Sequence, residues 1–218
     1  RCQRLTFDGH EALIMRQGFT GEHGYEIWTP REIGPKIWKL IENAGKKFGI
    51  TPVGTWALDI SRVEAGLIIP GYDYTGAGPK EEMGGAAIYA SSDFTASPYE
   101  LNLGHFIDYS SKKFIGYDAV KKKQTKGCEK RVMQFLLMNP NVMLYHNEPI
   151  LKNSEIIGYL SSGAYGHTLG GAVGLGYIDC KPGESDKDLL SAKYSIEVEG
   201  AIEECVGKLH IYQESLYI

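Results

Sequence analysis

After Gly127 the chain becomes a succession of short β-type runs: KRVMQFLLM, EPILKNSEIIGYLSSGAYG, GAVGLGYI, SAKYSIEVEG and EECVGKLHIY. Turn residues separate them: Asn139-Pro140-Asn141, Asn153-Ser154, Pro182-Gly183 and Gly200. Short apolar runs at regular spacing, punctuated this way, predict a small all-β barrel or sandwich over 128–218. The run TLGGAVGLG lacks the G-K-[ST] ending of a phosphate-binding loop, so its glycines predict a strand that another backbone approaches closely. Ser161-Ser162-Gly163 lacks the G-x-S-x-G context of a nucleophile elbow.

The stretch before Gly127 has a different grammar. Ala12 to Arg16 and Tyr25 to Thr29 read as strands around the turn in GFTGEHGYEI. Thr29, Pro30 and Glu32 predict a capped helix start, with Ile33, Ile37, Leu40, Ile41, Ala44 and Phe48 at helical spacing and Gly49 as the stop. Pro35 falls within or just past that opening turn and could shift the start. Thr51-Pro52 predicts a second helix ending at Gly66, so Ala12 to Gly66 reads β-β-α-α. Residues 68–98 read as a long loop, of the kind often used for function. A strand at His105 to Tyr109 and a helix at Gly116 to Lys122 follow. The lysines from Lys121 to Lys126 read as a solvated linker. The expectation is an α+β chain: a mixed α/β portion over 1–127, then a β-barrel over 128–218.

Composition excludes more than it assigns. A net charge of −4, with no basic stripe and interleaved aromatics, argues against a nucleic-acid partner. No apolar run approaches the ~20 residues that span a bilayer. Cys2, Cys128, Cys180 and Cys205 are dispersed, with no C-x-x-C pair, which fits a reducing cytoplasm. The six histidines form no H-x-x-x-H or H-E-x-x-H pattern, so no metal site is expected. The chain begins at Arg1 and reads as a processed or truncated piece.

The chemistry concentrates around Glu26. The Gly21–Gly24 turn sets where the second strand begins, and alternation sends Glu26 to the face opposite Tyr25 and Ile27. On the residues alone, a plain hairpin with a surface glutamate and a carboxylate held for a ligand both remain open. Glu22 and His23 read as turn residues. Arg62 and Glu64 lie two apart, so they do not face each other on a helix and each is expected to pair elsewhere.

Four stretches, in order, resemble the aminomethyltransferase family, which comprises the T-protein of glycine cleavage and its folate-dependent relatives. RQGFTGEHGYEI resembles the family's R-x-G-Y-T-G-E-D-G-x-E-I, and GTWALDISRVEAGL its G-x-x-A-R-D-x-L-R-L-E-A-G-L. SPYELNLGHFIDYSSKKFIGYDAV resembles its segment ending in F-I-G-x-x-A-L, and NEPILKNSEIIGYLSSGAYGHTLGGAVGLGYI its terminal barrel. The resemblance implies a mixed α/β folate-binding portion, a terminal β-barrel and tetrahydrofolate as cofactor. It implies Glu26 as acceptor for the planar donor pair of the pterin, which a carboxylate can take in bidentate fashion. Phe19 stands where the family has tyrosine and would stack or pack; Arg62 is a further candidate folate contact. The acid assigned to catalysis in the family would lie upstream of Arg1, leaving the catalytic residue of this chain unknown. Leu58 replaces the family's folate-associated arginine and cannot donate a hydrogen bond. That departure, with SPYELNLG, points to the folate-dependent demethylases, which move a methyl group from oxygen, sulfur or nitrogen, rather than to glycine cleavage. A small-molecule methyl or aminomethyl donor is implied; whether a lipoyl carrier protein is a partner stays open. The alternative is a non-catalytic folate-binding module of a larger dehydrogenase or of an assembly or repair protein.

Overall fold

The computed structural model describes residues 2–75, 95–111, 113–181 and 183–209. They belong to two compact units, Arg1–Arg62 and Val63–Ile218. The first unit opens with a three-stranded antiparallel sheet in the order β1 (Cys2–Phe7), β2 (His10–Met15), β3 (Glu26–Trp28). β1 was not anticipated. It is joined to β2 by Asp8 and Gly9, both at positive φ (48° and 77°), a two-residue turn whose twist matches that of the flanking strands.

Helix α1 spans Gly34–Gly45, not the earlier start that Thr29, Pro30 and Glu32 suggested. Pro35 decides this. Proline has no N–H and is accommodated only in a helix's first turn, so the helix opens around it. The residues before it form a turn, with Ile33 N and Gly34 N both donating to Pro30 O at 3.0 and 3.2 Å. A single 3₁₀ turn, Lys46–Phe48, then ends on Gly49 at φ 74°, the stop expected there. Helix α2 spans Thr55–Glu64 and begins later than Thr51-Pro52 implied. Gly66, at φ 71°, donates to Val63 O and ends it.

The second unit contains the expected barrel. Strands β4 (Lys130–Leu137), β5 (Pro149–Lys152), β6 (Glu155–Gly166), β7 (Gly171–Asp179), β8 (Tyr194–Val198) and β9 (Ala201–Lys208) close in the order β4-β7-β6-β5-β8-β9, every pair antiparallel. Closure between β4 and β9, from Gln134↔Lys208 to Leu137↔Cys205, removes the exposed edges an open sheet would present. Asn153-Ser154 and Glu199-Gly200 make the tight turns, all four residues at positive φ. Phe135, Leu144, Ile150, Leu160, Ile178 and Ile196 are fully buried and pack as the barrel core. Such burial is worth roughly 1.5–3 kcal/mol per side chain.

Two expectations before the barrel fail, and one element within it is additional. His105 to Tyr109 is not a strand: Gly104–Phe106 is one 3₁₀ turn, closed by Phe106 N donating to Leu103 O. The lysine cluster is not a linker but the body of helix α3, Tyr117–Lys126, where lysine's straight stem suits helix geometry. A further helix, α4 (Asp186–Ser191), was not foreseen; Ser185 and Asp188 form its capping box. Of the long loop, residues 76–94 lie outside those described. Among the described residues no helix is long and apolar enough to cross a membrane.

The close approach expected of TLGGAVGLG is visible at Gly176. A Cβ there would sit 2.6 Å from Tyr159 O and 2.9 Å from Leu160 Cα, both backbone atoms of the paired strand. Gly176→Ala must spread β6 from β7. It is expected to cost about 1–3 kcal/mol by urea unfolding, whereas Gly54→Ala, with nothing within 4 Å, should stay within ~0.5 kcal/mol.

Candidate functional site

The β2–β3 hairpin positions the carboxylate. Met15 pairs with Glu26 and Leu13 with Trp28, so these four share one face. Ala12, the buried residue of β2, lies on the other. The connecting loop is drawn tight by its glycines: a Cβ on Gly24 would meet Gln17 O at 3.6 Å and Gly18 Cα at 3.7 Å, and Gly21 has φ 76°. Glu22 N donates to Thr20 Oγ1 at 3.3 Å within this loop. Glu26 is half-buried and lies between two exposed donors. Its Oε2 accepts from Gln17 Nε2 at 2.7 Å and from Trp28 Nε1 at 3.2 Å. Among the described residues nothing donates to Oε1. The carboxylate is therefore oriented by one oxygen and open at the other.

The remaining candidates lie apart in chemistry. Phe19 is partly buried in the same loop as Gln17. Arg62 is 1% exposed, and its Nε donates to Asp59 Oδ1 at 2.8 Å, one turn back on α2. Glu64 Oε1 accepts from the amides of Thr168 and Leu169 at 2.7 and 2.8 Å, holding the end of α2 to the β6–β7 hairpin of its own unit. Arg62 and Glu64 thus pair elsewhere, as their spacing required. Leu58 is 37% exposed and brings no donor to its surroundings.

The second unit holds polar clusters that its sequence did not reveal. Asp73 is wholly buried; its Oδ1 accepts from Ser161 Oγ at 2.6 Å and Ser162 Oγ at 2.8 Å, and its Oδ2 from Ile69 N at 2.8 Å. The register shift between Leu160 and Ser162 brings two consecutive serines to one carboxylate. Glu100, 3% exposed, accepts from Ser97 N at 2.7 Å and from Lys123 Nζ at 3.0 Å, at the wall of a groove of about 960 Å³ that Lys130, Tyr177 and Asp179 also line. These partners are separated by 23 residues in one case and 88 in the other, which no local pattern exposes. Among the described residues no group of three or more His, Cys, Asp or Glu side chains could hold a metal ion.

A small antiparallel sheet carrying an oriented carboxylate, followed by helices and a closed six-stranded barrel, defines an α+β protein with a candidate anionic acceptor on its first hairpin. Residues 1–89 match the GCVT N-terminal domain and residues 130–210 the glycine cleavage T-protein C-terminal barrel domain. The chain belongs to the glycine cleavage T-protein family. An aminomethyltransferase of Caldanaerobacter subterraneus subsp. tengcongensis is 34% identical over 178 residues, 82% of this chain and 42% of that protein. An aminomethyltransferase of Clostridium botulinum is 32% identical over 173 residues, 79% of this chain and 42% of that one. The chain thus spans less than half the length of these relatives. The crystal structure of glycine cleavage system aminomethyltransferase T from Bartonella henselae superposes with a TM-score of 0.70 at 22% identity, over 91% of this chain and 48% of that one, and shows the same fold.

Burial pushes the Glu100 carboxyl up, but the Ser97 amide and the Lys123 ammonium outweigh it and hold it below the ordinary glutamate value. Lys123 is held above its ordinary value chiefly by its hydrogen bond to Glu100. A lowered carboxyl contributes stability that is present above its unfolded pKa and lost as pH falls through the folded one. Urea midpoints measured against pH should show a shallower acid limb in Glu100→Gln than in the parent chain. At neutral pH Lys123→Met leaves the buried carboxylate without its cation and should cost about 1–3 kcal/mol.

Proposed function

We propose that the chain binds the pterin of tetrahydrofolate through Glu26 and serves a one-carbon transferase that moves a methyl or aminomethyl group from a small-molecule donor. The observation that carries this is the carboxylate itself, fixed through Oε2 and open at Oε1. A carboxylate can take the pterin's N–H and amino group as it takes an arginine fork, one donor on each oxygen, and Oε1 is free to receive the first. Tetrahydrofolate, when bound, supplies the nitrogen that takes up the one-carbon unit. Glu26 would hold the pterin's donor pair, and Phe19, in the loop before β3, would pack beside it. Arg62, buried against Asp59, acts by holding α2 rather than by reaching the ligand. The chain's contribution is positioning, which converts an encounter into an oriented approach. The reading assigns no catalytic acid to these residues.

Leu58 supports the demethylase side of the family over glycine cleavage, because its side chain can neither pair with a folate carboxylate nor donate to it. Under the glycine-cleavage reading a lipoyl carrier protein would be a further partner. A non-catalytic folate-binding module is the second reading, and the same carboxylate serves it. The reading includes a cytoplasmic setting and a domain boundary near Gly127. The start of β4 at Lys130 and the barrel match from residue 130 favour that boundary, whereas the compact units divide at Arg62.

Calorimetric titration of tetrahydrofolate into the chain and into Glu26→Gln tests the reading. The parent should bind and the variant should bind at least about tenfold more weakly, since a charged hydrogen bond is worth ~1.5–3 kcal/mol. Equal binding by both would remove Glu26 from the site.

A further inference from the structure

We propose that Trp28 is a displaceable placeholder on Glu26, and that Gln17 is the residue that holds the carboxylate while a two-donor ligand takes the place of the indole. The proposal rests on the reading that Glu26 receives the pterin. A carboxylate oxygen offers two lone-pair sites. Both sites on Oε2 are filled, one by Gln17 Nε2 and one by Trp28 Nε1, while Oε1 carries no donor among the described residues. A ligand presenting two parallel N–H groups needs one site on each oxygen. It can meet Oε1 directly, but it reaches Oε2 only if a resident donor leaves.

The two resident donors are not equivalent. The Gln17 bond is 2.7 Å long and the Trp28 bond 3.2 Å, at the weak end of the normal range. Trp28 is 59% exposed, so its indole N–H can pass to water when released. It sits two residues beyond Glu26 on the same face of β3, and a side-chain rotation frees it without touching the Leu13↔Trp28 backbone pairing. The freed ring stays beside the carboxylate, where it can lie against a flat ligand. Gln17 reaches Oε2 from the far side of the hairpin, just after β2, and keeps the carboxylate plane fixed during the exchange. In the unliganded chain Trp28 shields one lone pair from water; in the liganded chain that lone pair belongs to the ligand.

The test uses the whole chain, labelled with ¹⁵N, and 5-formyltetrahydrofolate as the probe. Trp28→Phe assigns the Trp28 indole resonance among the three tryptophans. That resonance should shift on titration, with the midpoint found by calorimetry. Trp28→Phe should bind within about threefold of the parent, because the ligand loses no competitor it needs. Gln17→Met, similar in size but without a donor, should bind about tenfold more weakly, with a backbone amide spectrum that shows it folded. The proposal is overturned if the probe binds, Glu26→Gln abolishes binding, and yet the Trp28 indole does not move. It is equally overturned if Trp28→Phe weakens binding as much as Gln17→Met, for Trp28 would then be a contact that must stay. If the parent does not bind the probe, or Glu26→Gln binds as well as the parent, the pterin reading falls and this proposal with it.

Discussion

The pairing of Met15 with Glu26 across the β2–β3 hairpin decides which way the carboxylate faces, and the reading of the site follows from that register. Side chains alternate along a strand, so a slip by one residue would turn Glu26 onto the face of Ala12, the buried residue of β2. Burying an unpaired carboxylate there would cost several kcal/mol. The loop enforces the observed register through its glycines. Gly18 and Gly24 bring the two strand ends close together, and Gly21 takes the left-handed conformation that turns the chain. With the register set, Gln17 and Trp28 converge on one oxygen of Glu26, and among the described residues nothing donates to the other. A flexible acid on a loose loop would have to be ordered by its ligand; this one is largely ordered beforehand.

The barrel answers a different requirement. Its six strands bury their apolar faces against one another and leave no free edge, and the close strand approaches at Gly158, Gly174 and Gly176 let β6 and β7 pack without spreading. The buried acids of the segment before it, Asp73 and Glu100, are held by serine hydroxyls, backbone amides and a lysine. These bonds lie within the second unit and do not need a ligand to explain them. The family assignment covers both the sheet-bearing segment and the barrel. In this chain position 58 is a leucine, a side chain without hydrogen-bonding capacity.

Much of this was legible in the residues. Alternation and turn residues gave the barrel strands away, because a closed antiparallel sheet depends on local pattern almost everywhere. The strand that carries Glu26 was legible for the same reason. Other elements were obscured by competing local signals. β1 was missed although Asp8-Gly9 is a hairpin turn pair, since CQRLTF is short and mixed in polarity. Thr29-Pro30 looked like a helix start, but Pro35 overrode it. A lysine-rich stretch looked like a solvated linker, yet a helix tolerates such a run on an exposed face. α4 carries a capping box at Ser185 and Asp188, but its six residues are too few for a helical period to show. The clamp on Glu26 was not legible, because Gln17 meets Glu26 only once the strand register is known. The Asp73–Ser161–Ser162 cluster depends in addition on a bulge.

The most direct test of the central claim is a crystal structure of this chain with a tetrahydrofolate derivative bound. The account predicts the pterin's ring N–H and amino group within about 3 Å of the two Glu26 oxygens, with Gln17 still on Oε2. A pterin lodged elsewhere, with Glu26 still held by both Gln17 and Trp28, would contradict it.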